Sequence, residues 1–150
     1  MNVALKPREQ EVVVERDIKA SRERVFAAWT DINQASLWWM PKDFTLLSCE
    51  MDVRPGGRWR REMRAADGGV FVKHGVYREI RPPERLVFTY LTEDGELANR
   101  ETVVTVTLAE IPGGTRLTLR QTGLTSDAGL MSHRTGWTGA VDRLETFAAT

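Results

Sequence analysis

Residues 126–150 read SDAGLMSHRTGWTGAVDRLETFAAT, a run without proline in which Leu130, Trp137, Val141, Leu144 and Ala148 recur at helical spacing against Arg134, Asp142, Arg143 and Glu145. Such a pattern makes a long amphipathic helix with one apolar stripe. Ser126 or Asp127 offers the side-chain oxygen that caps its first turn. A stripe of that length has to be covered by an apolar face of similar extent, so the rest of the chain must be read for one.

Upstream, turn chemistry recurs: Pro55-Gly56-Gly57, Asp67-Gly68-Gly69, Pro82-Pro83, Asp94-Gly95 and Pro112-Gly113-Gly114 punctuate the chain every dozen residues or so (~12). Between them Phe44 to Met51, Arg58 to Ala65, Val70 to Ile80, Arg85 to Leu91, Thr102 to Ala109 and Thr115 to Thr122 are mostly β-branched or aromatic and read as strands of a hairpin meander. Glu11 to Ile18 adds a first strand. Ser21 then caps a short helix carrying Val25, Phe26, Ala28 and Trp29, and a second helical run from Gln34 carries Leu37 and Trp38 until Pro41 ends it.

Alternation assigns the strand faces. Trp59 and Met63; Val72, His74, Val76 and Ile80; Leu86, Phe88 and Tyr90; Val104, Val106 and Leu108; and Leu117 and Leu119 share the apolar parity. The other parity carries Arg58, Arg60, Glu62, Glu79, Thr105, Thr107, Thr118 and Arg120, as expected for a face in water. The expected architecture is therefore α+β, a curved antiparallel sheet of six to seven strands wrapped around the long C-terminal helix, with two short helices after strand one. The chain is expected to be one domain over residues 1–150, with an ordered core from about residue 11 to 149. A twisted sheet gripping one helix is expected to leave an internal cavity.

Composition narrows the function. With 21 basic and 21 acidic residues among 150, no net field favours nucleic acid or an anionic membrane. The lone Cys49 rules out an internal disulfide framework and fits a reducing compartment. Residues 1–10 lack the apolar run of a signal peptide, and no stretch approaches the ~20 apolar residues of a membrane span. The expected location is cytoplasmic, without membrane insertion.

The strings Ser21-Arg-Glu-Arg-Val-Phe-Ala-Ala-Trp29, Trp38-Trp39, Pro55-Gly-Gly-Arg-Trp59, Gly75-Val-Tyr-Arg-Glu-Ile80, Pro82-Pro-Glu-Arg-Leu-Val-Phe-Thr-Tyr90, Gly114-Thr-Arg-Leu117, Gly136-Trp137 and Asp142-Arg-Leu144 occur in that order. Together they resemble the Hsp90-ATPase-activator-like family of the START-like superfamily. The resemblance implies a helix-grip fold. It also implies roles that range over ligand carriage, lipid or hormone sensing, cyclase or aromatase chemistry and self-protection, all using the space under the helix. Activation of a chaperone is not expected, because the co-chaperone that names the family relies largely on a separate N-terminal domain. A homodimer is a further expectation from the resemblance.

Residues of the inward parity are the candidate ligand contacts: Trp59, Arg61, Met63, His74, Val76, Phe88, Tyr90, Val106 and Leu119 from the sheet, with His133, Trp137 and Val141 from the helix. Arg61 shares the parity of Trp59 and Met63, and an inward arginine must meet a carboxylate or an anionic ligand group. His74 is read as a polar group set between Val72 and Val76, able to orient a ligand or, with Tyr90, move a proton. Trp38 and Trp39 adjoin each other, so one should be buried and the other partly exposed near the entrance. Two histidines and one cysteine do not make up a zinc site. No cofactor is expected, and the residues leave catalysis open, with Asp52, Glu62 and Glu101 as candidate acids or bases. The expected function is the binding of a small hydrophobic or aromatic molecule in the cavity. A cyclase, dehydratase or hydrolase activity in the same space, or a chaperone-associated or other protein-interaction role, stands as the alternative.

Overall fold

The structure, a computed structural model, describes residues 11–93 and 100–150. The leader before Glu11 and the Asp94-Gly95 turn lie outside the described residues. Strand β1 (Val12–Ile18) is followed by helices α1 (Arg22–Thr30) and α2 (Ile32–Trp38). The meander then runs through β2 (Thr45–Met51), β3 (Arg58–Arg64), β4 (Val70–Arg81), β5 (Arg85–Thr92), β6 (Thr102–Ile111) and β7 (Gly114–Thr122). Helix α3 (Asp127–Ala148) closes the chain.

The strands form one antiparallel sheet in the order β1-β7-β6-β5-β4-β3-β2, curled about α3 in the helix-grip arrangement. Glycine at positive φ makes the tight turns, at Gly56 (85°), Gly68 (92°) and Gly113 (82°). Helix starts follow side-chain oxygens. Ser21 accepts from the Arg24 backbone N–H at 3.1 Å, and Ser126 rather than Asp127 caps α3 by accepting from the Gly129 N–H at 3.0 Å. Asp31 ends α1 and caps α2, accepting from the Asn33 N–H at 3.0 Å, which is why α2 begins at Ile32 and not at Gln34.

Inside the curl an interlocked set of rings fills the centre. Trp29 packs edge-on against Trp38 at 4.6 Å between centroids and lies 6.1 Å from Trp137 of α3, while Trp39 sits 4.8 Å from Trp59. A buried polar chain fixes α3 along the sheet. The Trp137 Nε1–H donates to Gln121 Oε1 at 2.8 Å, Gln121 Nε2 to Thr102 Oγ1 at 2.9 Å, and the Thr102 hydroxyl to the Tyr90 carbonyl at 2.7 Å. Each buried polar group in that chain has a partner, the condition under which such a network adds rigidity. Trp38 and Trp39 are both buried, so the expected half-exposure of one of them is corrected. Trp38 Nε1 finds the Ala28 carbonyl at 2.9 Å inside the core.

The face assignment of β4 needs a larger correction. His74 lies opposite Arg60 and Val76 opposite Arg58 in the β3–β4 ladder, and opposed residues share a face. Both therefore lie on the outer face with those arginines, while Lys73, Gly75 and Tyr77 turn inward. The cause is a bulge between Tyr77 and Glu79, where the register against β5 shifts by one residue. Ile80 is inward beyond the bulge, so counting alternation back from it misplaces everything before it.

Gly75 shows what the corrected face requires. Its directly opposed partner is Trp59, whose indole reaches over it to donate to the Thr89 carbonyl on β5 at 3.1 Å. A Cβ at Gly75 would stand 1.9 Å from that carbonyl oxygen and 2.7 Å from Trp59 Nε1. Gly75→Ala is expected to lower the unfolding free energy by about 1–3 kcal/mol or more through overpacking, read as a reduced urea midpoint; an unchanged midpoint would contradict the close approach.

Candidate functional site

Towards the N-terminal half of α3 the packed rings stop and a pocket of about 420 Å³ begins. The sheet supplies Arg61 and Met63 from β3, Phe71 and Lys73 from β4 and Tyr90 from β5. Trp39, Pro41, Lys42 and Phe44 wall one side, and α3 covers it with Met131, Ser132, His133, Thr135, Gly136, Trp137 and Ala140. Two glycines set the height of that cover. At Gly139 a Cβ would come within 2.7 Å of the Lys42 backbone nitrogen, so α3 packs closely on the loop there. At Gly136 the nearest atom to a Cβ is Pro41 Cγ at 3.6 Å, an ordinary contact.

Arg61 is buried, with 2% of its surface exposed. Its guanidinium carbon stands 4.3 Å from the ring centre of Trp39 and 5.4 Å from that of Trp59, positions in which the ring faces attract a cation. Nη1 donates to the Trp39 carbonyl at 2.8 Å and Nη2 to Tyr90 Oη at 2.7 Å, whereas Nε has no partner. Glu62, the adjacent acid on β3, lies 3.5 Å from Arg60 instead. Lys73 Nζ donates to Thr92 Oγ1 at 2.9 Å.

His133 lies over Tyr90, ring centres 5.8 Å apart and edge to face. Its Nδ1 is 2.8 Å from the Gly129 carbonyl; a carbonyl only accepts, so the hydrogen sits on Nδ1 and the lone pair on Nε2. Burial pushes the imidazole below its ordinary value; the Gly129 bond opposes that and the charge of Lys73 adds to it. Cys49, paired across β2 with Arg61, is pushed up by its burial, with Arg61 pulling the other way. That leaves it a protonated thiol at neutral pH, a poor nucleophile.

Of the residues expected from the sequence to meet a ligand, Arg61, Met63, Tyr90, His133 and Trp137 are brought together around the pocket. Trp59, Phe88, Val106, Leu119 and Val141 are buried in the packed core, because the hollow occupies one end of the grip and not its whole length. His74 and Val76 are on the outer face, which removes the His74–Tyr90 acid–base pair. The candidate carboxylates are not in the pocket either: Asp52 pairs with Arg54 at 2.9 Å and Glu101 with Arg78 at 2.7 Å, both exposed. Sequence reading missed Lys73 and Phe71, which the bulge brings inward, and Gly136 as the residue that leaves room beneath α3. Among the described residues no group of three or more His, Cys, Asp or Glu is placed to hold a metal ion, and no helix is long and apolar enough to cross a membrane.

The family model for activator of Hsp90 ATPase homolog 1-like proteins matches residues 19–149. The chain belongs to this family. Among solved structures, a protein from Chromobacterium violaceum is 26% identical, with 95% of this chain and 99% of that one aligned and a TM-score of 0.84. A protein from Rhizobium leguminosarum is 28% identical over 93% of each chain, TM-score 0.78. A protein from Silicibacter pomeroyi that carries the family's name is 25% identical over 93% of this chain and 97% of its own, TM-score 0.80. No curated protein matches. These relatives share the helix-grip fold.

The depressed His133 predicts a pH dependence. Its folded value lies below the ordinary 6.5, so the unfolded chain takes up the proton first and stability is lost as the pH falls from that value through the folded one. Between about pH 8 and about pH 5.5 the urea midpoint is expected to fall less in His133→Gln than in the parent. Equal falls would show that the imidazole titrates alike in both states.

Proposed function

We propose that the chain is a binding module for a small apolar or aromatic molecule, taken up in the pocket between the sheet and the first half of α3. The observation that carries this reading is the pocket itself, whose volume lies in the range of small-molecule sites. Its walls are those of such a site, with Trp39, Phe44, Met63, Phe71 and Trp137 supplying flat and flexible apolar surface. The polar end of the ligand meets Arg61 and Tyr90, whose positions are held by the Trp39 carbonyl and by each other. Proteins built on this fold often bind hydrophobic ligands, which supports the same reading. An enzyme in this space would need a general base, and with His74 turned away His133 is the one imidazole at the pocket.

Blocking the pocket without touching the core tests the proposal. Gly136→Leu places a side chain beneath α3 at a site where a Cβ meets only ordinary contacts, and replacing a helical glycine with leucine favours the helix by roughly 0.5–1 kcal/mol. A panel of neutral aromatic and aliphatic fragments is followed by ligand-observed NMR. The parent is expected to bind members of the panel and Gly136→Leu to lose them while remaining folded. Binding that survives the substitution would place the ligand elsewhere, and a parent that binds none would remove the proposal.

A further inference from the structure

Among the described residues the fixed charge lining the pocket is of one sign. Arg61, Lys73 and Lys42 line it, and among the described residues neither Asp nor Glu does. A guanidinium keeps its proton at any physiological pH. Among the described residues Arg61 has no carboxylate partner; its hydrogen bonds go to a carbonyl, a phenol and the Met63 sulfur, with Nε left unpaired. Ring faces and neutral acceptors compensate a buried cation in part, but they do not neutralise it.

The direction of the hydrogen bonds adds an independent constraint. Arginine has donors only, so in the 2.7 Å contact Tyr90 Oη is the acceptor and its own hydrogen needs an acceptor elsewhere. The described residues supply none. Lys73 gives one hydrogen to Thr92 Oγ1, and among the described residues its others meet no acceptor. Among the described residues the pocket therefore offers spare donors beside a positive charge without a carboxylate partner; the hydroxyls of Ser132 and Thr135 on its lining both donate and accept, and the acceptor His133 Nε2 becomes a further donor on protonation.

We propose that the occupant is an organic carboxylate, a flat or chain-like apolar body lying against Trp39, Phe44 and Trp137 with its carboxylate turned to Tyr90 and Lys73 over the Arg61 charge. This rests on the binding role proposed above and names the class of ligand it takes. A carboxylate accepts several hydrogen bonds and donates none, which matches the free groups of the pocket, and it supplies the charge that Arg61 lacks. A neutral amide of the same shape brings surplus N–H groups against donors. An ammonium of the same shape meets like charge.

Isothermal titration of the purified full chain with naphthoate, naphthamide and naphthylmethylammonium tests this, with octanoate and octanamide as a straight-chain pair. In at least one pair the acid is expected to bind about tenfold or more tighter than its amide, as charge-assisted bonds to a buried cation imply, with the ammonium weakest. Tyr90→Phe and Lys73→Gln, which keep size and shape, are each expected to shrink the ratio of acid to amide affinity. They are used because Arg61→Gln, in the core, can fail for lack of folding alone. Amides that bind as tightly as their acids would overturn the carboxylate while leaving the binding role standing. No binding by any of the five would overturn both.

Discussion

The grip of the sheet on α3 depends on interlocked rings. Trp29 stands between Trp38, Trp39, Phe88 and Trp137 with centroids no more than 6.3 Å away, so the short helices, the middle of the sheet and the terminal helix all close on one indole. Because rings are rigid and flat, they fill the centre of the curl but cannot follow it to its ends. The buried bridge from Trp137 through Gln121 and Thr102 to the β5 backbone then sets how far along the sheet α3 lies. Where the rings end, a hollow follows from their shape.

At that boundary sits Arg61. Its neighbours hold it without neutralising it: Trp39 and Trp59 give ring faces, the Trp39 carbonyl and Tyr90 hydroxyl give acceptors. A core built for stability alone is served as well by an apolar side chain of similar size, since desolvating a charge costs more than its contacts usually return. Retaining the charge next to a hollow makes sense if something of opposite sign enters the hollow. The same rings that anchor α3 also hold the guanidinium in place.

Much of this was legible in the residues. The stripe Trp137, Val141, Leu144, Ala148 marked α3, glycine-rich turns separated the strands, and the shared parity of Trp59, Arg61 and Met63 turned the arginine inward. The failure at His74 and Val76 has a specific cause, since a bulge leaves no mark in the alternation of β4 and carries an even count from Ile80 to the wrong face. Trp59, Phe88 and Val141 were expected to line a cavity and are instead solid core, because period-2 and helical patterns tell which face is dry but not whether the dry space is filled. Gln121 and Lys73 were missed for a related reason: an inward polar residue is recognised only once its partner across the sheet or helix is known. Gly136 and Gly139 look alike in sequence, yet one leaves room for a pocket and the other admits the Lys42 backbone.

The central claim is that an anionic group belongs beside Arg61 and Tyr90, beneath the first half of α3. A crystal structure of the full chain grown with naphthoate tests it most directly. The carboxylate is expected within about 3.2 Å of Tyr90 Oη, with the ring system between Trp39 and Trp137. Density for the ligand on the outer face of the sheet, or a pocket closed by Trp137 with Tyr90 donating to a protein acceptor, would contradict it.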